Sequence, residues 1–587
     1  MSEIRSQWAG AIASALNTIK NSKNIDGEKI TAAEITAETP PNPAMGDIGF
    51  PMFQFAKMFR MGPPVIAAET VKLLQSDPSL AGFGTAKQEG PYVNVFLSRS
   101  HEASRILSEI MSEGDAYGKT GLLDGQRIMI EFSGPNTNKP LHLGHLRNDA
   151  LGESISRIFD FCGAEVLKVN IINNRGVHIC KSMLAYRKFG NGTTPEKEGI
   201  KSDHFVGAYY VKFHQYSKDN PEKAEQEVQE MLLAWEAGDP DVRELWQQMN
   251  DWAISGIVET YERTGISFEK FYYESDTYLK GKDEVLAGLE KGLFYRDDDG
   301  SVWVDLSPIN LDKKVLLRKD GTSLYITQDI GTAIFRHKDW PFDRMVYVVA
   351  NEQQYHFKVL FYVLRLLGFE WAENLYHLSY GMVNLPEGKM KSREGTIVDA
   401  DDLIDNLRNG ALEEIAAKGR EEAVGDPEKV AEKIALGALH YYLLQVTPLK
   451  DMLFNPKESL SFNGNTGPYL QYMGARITSL LGKAGPEADG GTVNPGLLTH
   501  EAEWELLKVL ADYSAQIERA AKNYDPSIIA SYLYELSKCF SRFYHECPIL
   551  AAGTPDLVCT RLELAKAVRI VLKSAMHLIL VPFLEAM

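Results

Sequence analysis

The sequence predicts a multidomain α/β protein: a parallel-sheet domain with a helical insertion, a small α+β domain before it and an all-helical bundle after it. Three observations carry this. The chain has 587 residues, more than one hydrophobic core spans. Between about 116 and 400, short apolar runs of strand length alternate with helical periodicity. From about 401 to the end, almost only helical patterns occur.

Residues 1–115 read as the small mixed domain. A helix near 4–19 leads to the turn "TPPNPAMGD", a helical stretch follows at Val65–Gln75, and "GPYVNVFLS" alternates with Val93, Val95 and Leu97 on one side. "EGDAYGKTGLLDGQ" is glycine-rich and polar, as a linker is. "RIMIEF" then has the length of a buried strand. After the turn "SGPNTNKPLHLGHLR", the residues Leu146, Ala150, Leu151, Ile155, Ile158, Phe159 and Cys162 recur at helical spacing, and Gly163 stands at a C-terminal stop. "EVLKVNII" is the next strand. This strand–helix–strand order implies a parallel sheet, whose ligands bind at the carboxyl ends of the strands. The charged helical stretch at about 185–300 reads as an insertion, after which the α/β pattern resumes with "SVWVDL", "SLYITQD" and "DRMVYVVAN".

Composition excludes some classes and selects none. The chain is 44% apolar and 24% charged, ordinary for a globular protein. No apolar run approaches the roughly twenty residues of a membrane span, and the amphipathic N-terminus lacks a signal peptide's continuous apolar stretch. The five cysteines, Cys162, Cys180, Cys539, Cys547 and Cys559, form no CxxC pair. Neither a zinc knuckle nor a disulfide framework is expected, and thiols in a reducing cytoplasm are. A net charge of −18 argues weakly against nonspecific nucleic-acid binding and leaves room for a local basic groove.

Two polar segments carry candidate chemistry. His142 and His145 lie three apart across Gly144, just before the helix. A helix N-terminus offers unpaired N–H groups and a positive dipole end, which suit phosphate. If Leu146 begins the helix, both imidazoles can face one pocket, Gly144 lets a flat ring approach, and Lys139 adds positive charge. The same residues also suit an exposed loop with histidine caps. The chain has no GxxxxGK[ST] loop and no GxGxxG after a strand, so a nucleotide enzyme here needs another phosphate device. "GKMKSREGT" could supply it, with Lys389 and Lys391 covering a triphosphate and Ser392 as donor; a solvated basic loop is the plain alternative.

Together the two segments resemble the paired signatures of class I aminoacyl-tRNA synthetases. "HLGH" is similar to their HIGH motif and "KMKSR" to a degenerate KMSKS loop. "EFSGPNTNKPLHLGHLRNDALGESISRIFDFCG", "DGTSLYITQDIGTA", "EQQYHF", "GMVNLPEGKMKSREGT", "KDMLFNPKESLSFNGNTGPYLQYMGARI" and "YLYELSKCFSRFYHECPIL" resemble the arginyl-tRNA synthetase family over nearly the whole chain. The resemblance implies a Rossmann-like catalytic domain at 116–400, a tRNA-elbow domain at 1–115 and a helical anticodon-binding domain at 401–587. It implies ATP-dependent ligation of L-arginine to its tRNA through an arginyl-adenylate. Mg²⁺ would accompany ATP without a protein metal site, and the enzyme would be a cytoplasmic monomer with no membrane partner.

The resemblance also implies roles. His142 and His145 would bind the phosphates and stabilise the reacting α-phosphate, an electrostatic task, and Gly144 would lie against adenine. Lys389, Met390, Lys391 and Ser392 would form the second ATP loop. That loop has Ser392 where the full motif has its second lysine, and family members lacking it often carry a lysine before HIGH, as Lys139 does here. Tyr325 and Asp329, four apart, would bind the guanidinium, which needs carboxylates in hydrogen-bonding geometry. Without the resemblance, a core aromatic and a helix cap suit them equally. Glu131, Ser133 and Asn136 would orient the α-amino end, and Gln353 would join the pocket.

Two departures stand out. "NNRGVHI" replaces an aspartate–tryptophan–glycine pattern with a glutamine, so His178 is the substitute expected near the arginine. Pro51 stands where the N-terminal domain often has asparagine. In the C-terminal bundle, Tyr469 and Tyr472 of "GPYLQY" are the preferred anticodon contacts, with Tyr534 and Met587 as further candidates; core positions are the alternative. Two other functions remain in play: a class I synthetase for another amino acid, and a noncatalytic tRNA-binding protein of synthetase type.

Overall fold

The structure, a computed structural model, describes residues 2–80, 82–386, 398–417, 419, 424–484 and 491–587. In the N-terminal unit, helices α1 (Ser2–Ser22) and α2 (Pro63–Gln75) accompany a three-stranded antiparallel sheet. Its strands are β1 (Ile48–Pro51), β2 (Gly84–Glu89) and β3 (Tyr92–Leu97), with β3 central. Val93, Val95 and Leu97 of β3 are buried, as their alternation requires. Helix α3 (Arg99–Glu113) leads to the segment expected as a linker. That segment is docked instead. The Tyr117 ring is buried and its hydroxyl donates to the Leu510 carbonyl at 3.1 Å. Gly118, at φ +88°, admits the Tyr513 ring, which a Cβ would approach to 2.5 Å.

The central sheet has five parallel strands in the order β11–β10–β4–β5–β6. They are β4 (Arg127–Glu131), β5 (Glu165–Ile172), β6 (Lys270–Tyr273), β10 (Arg344–Ala350) and β11 (Leu375–Tyr380). Ile128, Met129 and Ile130 of β4 are all fully buried, as a strand covered on both faces requires. From β4 the chain builds outward through β5 and β6, and later returns to the other side with β10 and β11. The switch point therefore lies at the carboxyl ends of β4 and β10, where a ligand crevice is expected.

Helix α4 (Leu143–Phe161) follows β4. It starts at Leu143, three residues before the expected Leu146, because His142 caps it; it ends where Gly163 takes φ +95°. Between β5 and β6 lie α5 (Val177–Phe189), α6 (Ser202–Asp219), α7 (Pro221–Ala237) and α8 (Pro240–Thr264). The first three and the start of the fourth share a core around Phe205, Val228, Trp235 and Met249. The stretch expected as a helical insertion at about 185–300 thus contains a strand of the main sheet, β6.

Two further strand expectations are corrected. "SVWVDL" supplies β8 (Val302–Val304) of a separate antiparallel sheet with β7 (Tyr295–Arg296) and β9 (Lys314–Leu317). Alternation identified a strand but not its sheet. "SLYITQD" begins helix α9 (Tyr325–Asp339), in which Ile326, Ile330 and Ala333 are buried at helical spacing. The Thr327 hydroxyl fixes this start, accepting from the Leu324 N–H at 3.2 Å and donating to the Leu316 carbonyl.

Helix α10 (Gln354–Leu366) connects β10 to β11. The short strands β12 (Val383–Asn384) and β13 (Met452–Leu453) pair in parallel and tie the central sheet's last loop to the C-terminal part. The helices that follow include α11 (Ala400–Ala417), α12 (Pro427–Leu444), α13 (Gly467–Gly482), α14 (Ser527–Glu546) and α15 (Pro555–Leu578). Their core is continuous with that of the N-terminal unit and of α4.

Candidate active site

A cleft of about 480 Å³ opens at the switch point. Its walls come from the end of β4 with the Ser133–Gly134 turn, from Lys139 and the start of α4, and from Val348–Ala350 of β10.

His142 and His145 share a reciprocal cap. The His142 N–H donates to His145 Nδ1 at 3.1 Å, and the Gly144 N–H donates to His142 Nδ1 at 3.1 Å. Their ring centroids are 3.9 Å apart. With Nδ1 accepting, a neutral imidazole keeps its proton on Nε2. Burial, with Lys139 adding like charge, pushes His142 down to about 4; burial and His142 push His145 well below its ordinary value. Both rings are therefore neutral Nε2–H donors at neutral pH. A Cβ on Gly144 would lie 3.0 Å from the His142 ring, so a larger residue here would press on that ring. Lys139 is half-buried between two cavities, and burial alone lowers its pKa. Among the described residues no carboxylate pairs with it. Two neutral donors and an unpaired ammonium at a helix N-terminus make a preorganised anion site.

Lys389, Met390, Lys391 and Ser392 lie outside the described residues. The residues that follow them meet the histidine turn directly. The Leu143 N–H donates to the Val398 carbonyl at 3.2 Å, the Ala400 N–H donates to the Leu141 carbonyl at 3.0 Å, and His142 bridges Asp399. Beyond this point, Asp203, His204 and Asp401 bring three ligand atoms close enough for a metal ion. Lys201 already reaches Asp401 at 2.8 Å and Arg263 reaches it at 3.4 Å, so cations of the chain itself hold that carboxylate.

A second cavity is lined by Asn136, His178, Glu274, Tyr325 and Gln328 among others; an intervening cavity shares Lys139 and His142 with the cleft and Asn136 and His178 with this one. Tyr325, at the start of α9, is 74% exposed. Asp329, one turn later, bonds His356 Nε2 at 2.6 Å. Facing Asp329 is a carboxylate that sequence reasoning missed. Glu274 follows β6 directly, and burial together with the Asp329 charge pushes its carboxyl up to about 7, against the pull of Arg175. Two carboxylates that repel each other, one of them lining the cavity, favour a cation, and a planar guanidinium can meet such groups. Recognising "FYY" as a parallel strand would have exposed Glu274, since it stands at a strand's carboxyl end.

The remaining expected residues divide. Asn136 bridges Asn173 and lines the second cavity. His178 is also there, with Nδ1 3.0 Å from the Tyr210 hydroxyl. Ser133 lies in the first cleft, its N–H donating to Asn148 Oδ1. Glu131 lines the cleft but is ion-paired with the buried Arg336 of α9, a partner not foreseen; burial, opposed by Arg336, leaves its carboxyl above the usual range. Gln353 is exposed before α10 and lines neither cavity; Glu352 lines the cleft instead.

In the C-terminal helices, Tyr472 and Met587 line one pocket of about 310 Å³ with Phe462 and Ile434. Tyr469 lies apart from it, half-buried and edge-on to Tyr534 at 6.1 Å between centroids.

Three family models match the chain. "tRNA synthetases class I (R), catalytic domain" covers residues 106–456. The chain belongs to the arginyl-tRNA synthetase family. The "Arginyl tRNA synthetase N terminal domain" matches 6–97 and the "DALR anticodon binding domain" matches 470–587 of this synthetase chain. It is 64% identical to an arginine–tRNA ligase of Treponema denticola and 58% identical to that of Treponema pallidum, each over the full length of both chains. The arginyl-tRNA synthetase of Thermus thermophilus superposes with a TM-score of 0.80 at 27% identity, covering 99% of this chain and 100% of the other.

Proposed function

We infer that this chain is an arginine–tRNA ligase that works through the cleft at the β4–β10 switch point. An arginine carboxylate oxygen attacks the α-phosphorus of ATP, and pyrophosphate leaves. A ribose hydroxyl of the tRNA's terminal adenosine, the 2′-hydroxyl by class I analogy, then attacks the arginyl carbonyl and AMP leaves. One observation supports this use of the site above others: a neutral-histidine anion site with Lys139 is linked, through an intervening cavity, to one lined by Glu274 and Tyr325, where the Asp329 charge acts on Glu274. A substrate with phosphates at one end and a guanidinium at the other fits both.

In this reading His142 and His145 donate Nε2–H to phosphate oxygens as charge develops, and Gly144 leaves space for adenine. Lys139 contributes the positive charge that Ser392 lacks, in addition to the ATP-loop roles of Lys389, Met390 and Lys391. Glu274, Tyr325 and Asp329 hold the guanidinium. Glu131, Ser133, Asn136 and His178 orient the rest of the amino acid. Mg²⁺ arrives with ATP, held mainly by phosphates. Tyr472 and Met587 receive an anticodon base in one pocket, and Tyr469 and Tyr534 offer a second face. Domain limits near residues 115 and 400 separate the tRNA-elbow, catalytic and anticodon parts. The enzyme acts as a cytoplasmic monomer; among the described residues no helix is long and apolar enough to cross a membrane.

The test is pyrophosphate exchange and tRNA charging by wild type, Lys139→Ala and Glu274→Gln. Loss of ATP use in the first and of arginine use in the second supports the assignment. Unchanged kinetics in both would move the site elsewhere.

A further inference from the structure

Asp149 stands one helical turn after His145 on α4 and is 1% exposed. Neither carboxyl oxygen makes a well-aligned hydrogen bond among the described residues, but the Ser133 hydroxyl lies near enough to act on the group and favours its ionised form. The groups facing it are the Ser133 hydroxyl at the end of β4, Glu153 on its own helix, Tyr261 on α8 and Tyr380 on β11. None is a cation, and Arg157 and Lys168 are both engaged by Glu153. A carboxylate buried without a cation is disfavoured in its ionised form. Burial and the Glu153 charge, opposed by the Ser133 hydroxyl, push Asp149 up to about 8.

The surroundings give that proton a task. Ser133 and Gly134 both have left-handed backbones, at φ 74° and 64°, and form one wall of the cleft. Such a conformation costs energy in a serine and persists only where neighbours hold it. Asn148 Oδ1 accepts the Ser133 N–H at 2.5 Å, and Asn170 Oδ1 accepts the Gly134 N–H at 3.1 Å. The Ser133 and Tyr261 hydroxyls are 2.5 Å apart, and Asn170 Nδ2 donates to Tyr261 at 3.0 Å. These bonds hold the turn from α4, β5 and α8.

We propose that Asp149 is a positioning residue that acts as a neutral acid, donating its proton to the Ser133 hydroxyl and so holding the Ser133–Gly134 turn against the arginyl-adenylate. The catalytic consequence rests on the functional reading of the cleft; the protonation does not. Asp149→Asn keeps a neutral donor at this position, and Asp149→Ala removes it.

Full-length wild type and both variants are to be melted from pH 6 to pH 9.5 and assayed for arginine charging over the same range. Between the unfolded and folded pKa, the unfolded wild type has released a proton that the folded chain retains, so wild type loses stability relative to Asp149→Asn as pH rises to about 8. The gap in melting temperature widens from pH 6 to 8 and is constant beyond. Charging by wild type falls about tenfold between pH 7 and 9, Asp149→Asn falls less than about threefold, and Asp149→Ala is impaired throughout. A gap that does not change with pH, or a parallel alkaline loss in Asp149→Asn, overturns the proposal. Should wild type charge no arginine at all, the functional reading fails, while the melting curves still decide the state of Asp149.

Discussion

The His142 and His145 rings, 3.9 Å apart between centroids, each accept a backbone N–H through Nδ1. One cap therefore sets both tautomers and aims both Nε2–H groups. Replacing either histidine with alanine removes a donor positioned before the reaction begins. Each change is expected to slow adenylate formation about 10²-fold, measured by single-turnover consumption of ATP.

The same burial has a stability consequence. His142 titrates at about 4 when folded, below its ordinary 6.5. Between these values the unfolded chain binds a proton that the folded chain refuses, so stability is lost as pH falls through that window. His142→Asn is expected to lose less than wild type when melting is compared from pH 6.5 to pH 4.5.

Lys139 has no described carboxylate to neutralise it, which leaves its charge for the substrate. Lys139→Ala is expected to lower kcat/KM for ATP about 10- to 100-fold, the scale of one charge-assisted hydrogen bond. Lys139→Arg keeps the charge but changes its shape and is expected to retain part of the activity. Steady-state pyrophosphate exchange at varied ATP measures both.

Glu274 and Asp329 give the arginine side a pH signature. Burial and the Asp329 charge push Glu274 up to about 7. Below that pH it is neutral and offers the guanidinium no charge, so KM for arginine is expected to rise as pH falls through 7. Glu274→Gln is expected to raise KM at least about tenfold at pH 8 and to flatten this dependence. A KM for arginine that does not respond to pH in wild type would count against the pairing.

Arg336 and Glu131 test the floor of the site. Arg336→Met leaves the Glu131 carboxyl buried without its cation, and is expected to cost about 3–5 kcal/mol. Adding Glu131→Gln should return part of that loss, because no unpaired charge remains. The urea midpoints of the two variants decide it.

Local features of this protein were legible before the structure, and nonlocal ones were not. The cap at His142, the stop at Gly163 and the inward face of β3 follow from spacing along one segment. The segment holding Tyr325 and Asp329 carries a strand-like pattern, and the Thr327 contacts that start the helix there are not visible in it. Glu274 was missed because its strand lay hidden in a helical stretch and its partner Asp329 is distant in sequence. Nothing in the spacing along their own helices singles out Arg336 or Asp149. Only burial against other elements gives a buried guanidinium or carboxyl its meaning.

The most direct test of the central claim is charging of total tRNA by the purified chain with each of the twenty amino acids in turn. The account predicts charging with arginine alone, abolished when Glu274→Gln and Asp329→Asn are combined. Charging with a different amino acid, or tRNA binding with no charging at all, would contradict it.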